Sequence, residues 1–170
     1  MDLEGDKEMH KRIGWLGVSC CLLLVIGCAS SRAVRMGDQL MNEGDWEGAV
    51  FVYQEAMKGN PRDLELRKKL EEARSKAAEI HFQKGKELLK EKEIQIAIEE
   101  FQRALTLNPL KVEHQSALAA ALKIKEAEEH YTTGLKLAKA GNSQEASKDF
   151  DRSLELDPSH LPAKMMVAQL

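Results

Sequence analysis

Small and aromatic residues recur along the chain at the spacing of one helical face. Near its middle, Ala97, Phe101 and Ala104 occupy positions i, i+4 and i+7, which places them on the same side of a helix. Polar and charged residues fill most of the positions between them, as expected of a helix with one side in a core. A short apolar segment opening with Gly85 precedes this helix, and Pro109 follows it. The pattern predicts two antiparallel helices joined by a turn.

The same pattern occurs three times, so it is an internal repeat. The copies begin at Gly37, Gly85 and Gly134, which are 48 and then 49 residues apart. Small residues on facing helices let two backbones approach closely, and one aromatic side chain per copy fills the remaining space. The shared positions are Gly37, Ala49, Tyr53, Ala56 and Pro61 in the first copy, Gly85, Ala97, Phe101, Ala104 and Pro109 in the second, and Gly134, Ala146, Phe150, Ser153 and Pro158 in the third.

This skeleton resembles the tetratricopeptide repeat (TPR), a helix hairpin of about 34 residues. The resemblance covers about residues 30–63, 78–111 and 127–160, and it implies an all-α solenoid of three hairpins within residues 32–170. Two positions depart from it. Ser153 replaces an expected alanine, and Lys92 stands where the other copies have a turn glycine, which leaves the conformation of the second turn open.

Segments between the copies predict long helices. A copy interval of 48 or 49 residues exceeds a repeat of about 34, and the added residues contain neither glycine nor proline. We therefore expect continuous helices from Arg62 to Lys90 and from Leu110 to Ala140.

Polar residues and prolines mark where the helices should begin. Each closing proline follows an asparagine or aspartate, which predicts a cap followed by a proline at the first helical position. Asn142, with Glu145 three residues later, predicts a capping box in the third copy.

The last residues predict an uncovered apolar helix. Leu161 should begin a further long helix that the sequence interrupts, and its apolar stripe consists of Met165, Met166, Val167 and Leu170. Solenoid ends usually carry a polar outer face. Either the chain continues in a longer parent protein, or this end packs on a partner, including a second copy through Met165, Met166 and Leu170.

Residues 1–27 predict a secretory signal peptide. An apolar run over residues 13–26 follows Lys11 and Arg12. This run is shorter than the roughly 20 residues needed to span a bilayer. Its ending, Val-Ile-Gly-Cys28, resembles the lipobox of bacterial lipoproteins, which implies a lipid anchor on Cys28 and a lipidated tether over residues 28–31. The alternative is a plain signal peptide with a coincidental cysteine. For a lipoprotein, Ala29 implies the outer membrane, facing the periplasm.

The net charge argues against nucleic-acid binding, and the lack of catalytic motifs argues against an enzyme. The net charge is −3, and the sequence shows no basic stripe. It also contains none of the common metalloprotease, hydrolase or phosphate-loop motifs, so we expect no enzyme, cofactor or metal. His81 and His130 occupy matching positions in two copies. They could form a metal pair only by meeting across repeats, and a packing role is the simpler interpretation.

The first helices of the copies carry candidate partner-binding residues. In the TPR family these helices usually line an inner groove, and aromatics flanked by lysines suit a peptide or helix ligand. The alternative is that Phe82 and Tyr131 only pack on a neighbouring long helix. The candidate groove residues are Phe82, Lys86, Leu89, Tyr131, Leu135 and Lys139.

The repeats and the lipobox together are similar to the N-terminal TPR segment of some secretins of type II secretion and type IV pilus systems. That resemblance implies a non-catalytic, membrane-anchored scaffold in envelope assembly. Two alternatives stay open. One is a structural homo-oligomer formed through the long helices, and the other is a helper lipoprotein for outer-membrane protein or peptidoglycan assembly.

Overall fold

The computed structural model describes residues 32–169, and all regular secondary structure in that range is helical. The predicted all-α fold is therefore confirmed, whereas the signal peptide and the lipidated tether lie outside the described residues. The helices are α1 (32–43), α2 (Trp46–Gly59), α3 (Leu64–Lys90), α4 (Ile94–Leu107), α5 (Val112–Lys139), α6 (Ser143–Leu156) and α7 (Leu161–Val167).

The two long helices exist, but they begin later than predicted. Helix α3 has 27 residues and α5 has 28, and each is continuous. The prediction that each proline occupies the first helical position was wrong, because α3, α5 and α7 each begin three residues after it. At α3 and α7 the residue before the helix provides the cap instead: Asp63 Oδ1 accepts the Leu66 N–H at 3.0 Å, and His160 Nδ1 accepts the Ala163 N–H at 3.1 Å. Helix α5 has no side-chain cap hydrogen bond.

All three hairpin turns have the same backbone geometry. Gly44, Lys92 and Gly141 have φ values of +82°, +65° and +84°, so the second turn keeps the left-handed conformation without glycine. In each turn the next residue closes a Schellman hydrogen bond to a carbonyl five residues back. These bonds are Asp45 N to Leu40 O (2.9 Å), Glu93 N to Leu88 O (2.9 Å) and Asn142 N to Leu137 O (3.0 Å). The expected capping box is absent, because the Asn142 side chain makes no cap hydrogen bond.

The described residues divide between two compact units, with the boundary between Lys76 and Ala77. The first unit holds α1, α2 and the first part of α3. An ion pair ties its outer helices together, because Lys69 on α3 donates to Asp38 on α1 at 2.6 Å. Its buried apolar residues are Ala49, Val50, Tyr53, Leu66, Leu70 and Ala73.

The second unit holds the rest of α3 and helices α4 to α7. One core cluster joins Ala97, Ile98 and Phe101 of α4 to Ala121 of α5, and Phe82 packs against it. The first half of α5 therefore covers α4. The second half of α5 forms the next hairpin with α6, so one helix serves two repeats.

Helix α7 begins at Leu161 as predicted, but it ends at Val167 after seven residues. The expected longer helix is not formed within the described residues. Met165 is 56 % exposed and Val167 is exposed, so apolar side chains do face solvent at this end. Leu170 lies outside the described residues.

Candidate interaction surfaces of the repeat array

Contact between a glycine and an aromatic ring fixes each hairpin. A Cβ atom added to Gly85 would lie 2.7 Å from the Phe101 ring, and one added to Gly134 would lie 2.7 Å from the Phe150 ring. Real Cβ atoms essentially never come this close to another atom, so only glycine fits without a shift of the ring. Gly37 lies against Tyr53 in the same way. Among the other signature residues, Ala49, Ala97, Ala104 and Ala146 are buried, Ala56 is half-buried, and Pro61, Pro109 and Pro158 are exposed in turns.

A buried carboxylate links the two helices of the second repeat. Glu100 is only 3 % exposed, and its oxygens lie 2.5 Å from His81 Nδ1 and 2.8 Å from Lys84 Nζ. Burial alone would raise the pKa of Glu100, but hydrogen bonds from Lys84 and His81 outweigh burial and hold the pKa below its ordinary value. The carboxylate is therefore charged near neutral pH.

The third repeat has a corresponding pair, His130 and Asp149, with Nδ1 and Oδ1 2.7 Å apart. The two histidines thus bond to carboxylates of their own hairpins. Residues 32–169 contain no group of three or more His, Cys, Asp or Glu side chains suited to hold a metal ion. Sequence reasoning missed Glu100 and Asp149. Each lies three residues after a signature alanine, on or beside the apolar face, and that placement was the available signal.

In the first unit, Asp38 on α1 links neighbouring helices, as Glu100 does in the second repeat, but it bonds to different residue types. Its Oδ1 accepts hydrogen bonds from the Tyr53 hydroxyl at 2.5 Å and from Lys69 Nζ at 2.6 Å. The hydrogen bond from Lys69 is the main cause of the lowered pKa of Asp38. Burial, together with the hydrogen bond to Asp38, raises the pKa of Tyr53. Sequence reasoning did not foresee this group.

The predicted groove aromatics, Phe82 and Tyr131, are half-buried and make matching contacts. The ring centroid of Phe82 lies 5.9 Å from that of Phe101 and 5.0 Å from that of His114 on α5. The ring of Tyr131 lies 5.9 Å from Phe150 and 4.9 Å from His160. Both rings therefore pack against their own hairpin and against the segment that follows it, while keeping an exposed side.

The other predicted groove residues differ in exposure. Lys86 is exposed and places its Nζ 5.4 Å from the centroid of the Phe82 ring, within cation–π range. Lys139 is exposed, Leu135 is half-buried, and Leu89 packs against the α4 core cluster. Partner contact through these side chains stays a prediction.

Comparison with protein families identifies the repeats. Residues 78–109 and residues 127–160 each match a tetratricopeptide repeat model. They correspond to the hairpin of α3 and α4 and to the hairpin of α5 and α6. These two segments therefore match tetratricopeptide repeats, and the fold of the chain is an all-α solenoid of helix hairpins. Proteins of this class are typically non-catalytic scaffolds for protein–protein interaction.

Solved structures of TPR proteins are similar to the chain at low identity. The first TPR domain of Spaghetti (RPAP3), bound to an HSP90 peptide, is 18 % identical, and the alignment covers 83 % of this chain and 89 % of that one with a TM-score of 0.26. YrrB, a TPR protein with an unusual peptide-binding site, is 17 % identical, with coverages of 81 % and 91 % and a TM-score of 0.28. The Arabidopsis OM64 TPR domain is 19 % identical, with coverages of 83 % and 93 % and a TM-score of 0.26. A comparison with curated protein sequences gave no match.

Proposed function

We propose that this chain is a non-catalytic, lipid-anchored TPR scaffold that binds a protein or peptide partner in a bacterial cell envelope. The observation that carries partner binding is the repeated placement of a half-exposed aromatic ring, Phe82 or Tyr131, on the first helix of two hairpins. In one hairpin an exposed lysine, Lys86, lies over the ring. Tryptophan, tyrosine and arginine most often supply binding energy at protein interfaces, and Tyr131 is of this kind.

The proposed anchor is a lipid on Cys28, four residues before the first described residue. The sequence around Cys28 supports it, and Ala29 supports an outer-membrane location facing the periplasm. Within residues 32–169, no helix is both long and apolar enough to cross a membrane. Two or more acyl chains would hold the repeats stably at the membrane surface. Assembly of a secretion or pilus system is the proposed setting.

The anchor is tested by metabolic labelling with a radioactive fatty acid. Cys28→Ser should abolish incorporation and change the membrane extraction of the protein, because the thioether sulfur is lost. Cys21→Ser is the matched control, since Cys21 lies inside the predicted signal peptide. Unchanged labelling of the Cys28→Ser protein would disprove the lipid anchor.

The groove is tested by photocrosslinking in cells. A photoreactive amino acid at Lys86 or Lys139, both exposed, should give a discrete adduct with a partner protein. The same amino acid at Lys123, exposed on α5 outside the predicted groove, should not. Charge reversals Lys86→Glu and Lys139→Glu should reduce the adduct while the helical circular dichroism stays unchanged. Equal crosslinking from Lys123 would reject the groove.

Exposed apolar side chains on the long helices favour a second candidate, a structural homo-oligomer. Ile80 on α3 and Leu122 on α5 are about half exposed, as is Met165 on α7. In sedimentation analysis, an oligomer that dissociates on Leu122→Gln or on Met165→Gln with Met166→Gln would support self-association. A wild-type monomer at high concentration would exclude it. The helper lipoprotein for outer-membrane protein or peptidoglycan assembly differs from the main proposal only in its partner.

A further inference from the structure

A cleft of about 660 Å³ lies beside the middle of α5 and shares only Leu89 with the predicted groove. Its walls come from the turn between α3 and α4, from α5 around Ile124, and from the turn between α6 and α7. The first half of α5, which makes this helix longer than that of a standard repeat, forms one side of the cleft. Lys111 at its start donates to Glu79 at 2.7 Å, and Lys125 donates to Gln95 at 3.0 Å, so this half runs along α4 towards the α3–α4 turn. The third repeat therefore begins beside that turn.

Four aliphatic side chains line the cleft. Leu89, Ile94 and Ile124 are half-buried, whereas Leu161 is 64 % exposed. Open concave surfaces lined by aliphatic side chains typically receive an apolar group of a ligand. An aliphatic side chain of a partner would occupy part of this space.

The charges around the cleft are mainly negative. Glu128 and Asp157 line it, and each uses one carboxylate oxygen within the protein: Glu128 Oε2 bonds to His160 Nε2 at 2.9 Å, and Asp157 Oδ1 accepts from the Ser159 backbone N–H and hydroxyl. The other oxygens, Glu128 Oε1 and Asp157 Oδ2, accept no hydrogen bond within residues 32–169. His160 Nδ1 accepts the Ala163 backbone N–H at 3.1 Å.

Lys92 is the lysine that lines the cleft, and it lies between exposed Glu91 and Glu93 in the sequence. Among the lining residues, the two carboxylates Glu128 and Asp157 therefore outnumber the one lysine. A positive ligand group is attracted to such a mouth, and a negative one is repelled.

We propose that this cleft binds a partner segment in which an aliphatic side chain lies next to an arginine or lysine. The proposal rests on the proposed partner-binding function, but it assigns a second site and the chemistry of its ligand. The aliphatic group packs against Ile94 and Ile124, and the cation pairs with the open oxygens of Glu128 and Asp157.

Three substitutions and one control separate the effect of the cleft's charge on binding from the effect of its structure. Glu128→Gln and Asp157→Asn each remove a charge but keep an oxygen that can accept the existing hydrogen bonds. Asp151→Asn is the control, because Asp151 is exposed on α6 and does not line the cleft. Lys92→Gly removes a positive charge that would repel a cationic ligand. It keeps the turn, since Gly44 and Gly141 adopt the same conformation.

The probe is a fluorescein-labelled peptide of alternating leucine and arginine, titrated by fluorescence anisotropy against the full chain in non-ionic detergent, with micelles alone as the blank. Glu128→Gln combined with Asp157→Asn should weaken binding at least about tenfold, and Lys92→Gly should strengthen it about threefold. Asp151→Asn should leave the affinity unchanged. Raising the salt concentration to about 0.5 M should weaken binding, because ion pairs at an open mouth are screened.

Methyl NMR locates the bound peptide. Shifts at Ile94, Ile124 and Leu161 without shifts at Leu135 would support the cleft. Equal affinity for a leucine–glutamate peptide, an affinity unaffected by the double variant, or shifts confined to Leu135 would each overturn it. None of those outcomes would argue against partner binding in the predicted groove. Failure of the crosslinking from Lys86 and Lys139 would reject binding in the groove without rejecting binding in the cleft.

Discussion

The second repeat (residues 78–111) and the third (127–160) use the same hairpin but neutralise their inner carboxylates differently. Glu100 is almost fully buried and bonds to both His81 and Lys84. Asp149 keeps 22 % of its side chain exposed and bonds to His130, and Thr133 occupies the position that corresponds to Lys84. The carboxylate with more contact to water thus has one hydrogen-bond partner fewer, as expected when solvent stabilises part of the charge.

This difference separates what fixes the hairpin from what adjusts its stability. The glycine–aromatic contact and the left-handed conformation of the turn are the same in both repeats. The polar pair varies in length, burial and number of partners without changing the fold. We therefore expect changes to the shared parts to affect both repeats alike, and changes to the polar pairs to affect them unequally.

Removing the carboxylates should give the largest contrast. Glu100→Ala is expected to lower the free energy of unfolding by about 3 kcal/mol, because it leaves buried His81 without its carboxylate partner. Asp149→Ala should lower it by about 1 kcal/mol, since His130 remains accessible to water. Urea denaturation followed by circular dichroism measures both. Exposed Asp151 is the control, and Asp151→Ala should change the value by less than about 0.5 kcal/mol. Equal losses at Glu100 and Asp149 would contradict the comparison.

Filling the glycine positions should affect both repeats similarly. Gly85→Ala and Gly134→Ala each place a methyl group against an aromatic ring, and overpacking of this kind costs about 1–3 kcal/mol. A new Cβ at Gly59 would meet no atom within 4 Å, so Gly59→Ala should leave the protein equally or slightly more stable. Thermal melting curves compare the three variants. If Gly59→Ala proved as harmful as Gly85→Ala, close packing would not be the reason for these glycines.

The buried carboxylate of the second repeat should make stability depend on pH. Because the pKa of folded Glu100 lies below its ordinary value of 4.5, its stabilising contribution is fully present above that pH and is lost as the pH falls through the lowered pKa. Glu100→Gln should therefore destabilise the protein by about 1–2 kcal/mol at pH 7. The gap from wild type should stay constant down to about pH 5 and then shrink. A gap that widens in acid would mean that the assigned direction is wrong.

An exchange of serine and alanine should shift stability in opposite directions in the two repeats. Ser153 is fully buried, and its hydroxyl has no hydrogen-bond partner within the described residues, whereas the second repeat has Ala104 at this position. Ser153→Ala should raise the free energy of unfolding by about 1 kcal/mol, and Ala104→Ser should lower it by a similar amount. Both are measured by urea denaturation. A loss of stability on Ser153→Ala would show that the hydroxyl does have a partner.

The turn residue should give the smallest effect. Lys92 adopts a conformation that favours glycine, so Lys92→Gly should add about 0.5 kcal/mol, offset in part by the greater freedom of the unfolded chain. Gly141→Ala in the third repeat should lower the free energy of unfolding, because alanine disfavours the left-handed conformation. The shift in melting temperature reports both changes. No difference between them would mean that the turn tolerates either residue equally.

The fold was largely predictable because its determinants are local in sequence. The positions of Gly85, Phe101 and Ala104 repeat at fixed intervals, and helical periodicity converts those intervals directly into a buried face. Helix starts were less predictable. Asp63 and His160 cap helices from positions after the prolines, and a proline signal alone does not distinguish a turn from a first helical residue.

The candidate surfaces were less predictable than the fold, because they depend on contacts between distant residues. Phe82 and Lys86 could be assigned to a first helix from spacing, but the stacking of Phe82 on His114 depends on how α5 crosses the preceding hairpin. The cleft near Ile124 likewise combines three segments of the chain. No local pattern marks such a surface.

Helix α5 also has a consequence for folding cooperativity. Its first half completes the core of the second repeat through Ala121, and its second half carries Gly134 of the third repeat. Ending the helix between these halves would break its hydrogen-bond ladder, and starting it again would require a new and unfavourable helix nucleus. Nearest-neighbour coupling in a repeat protein usually arises from side-chain packing between separate helices. Here the backbone itself connects the two repeats, so their amide hydrogens should exchange with solvent as one cooperative unit.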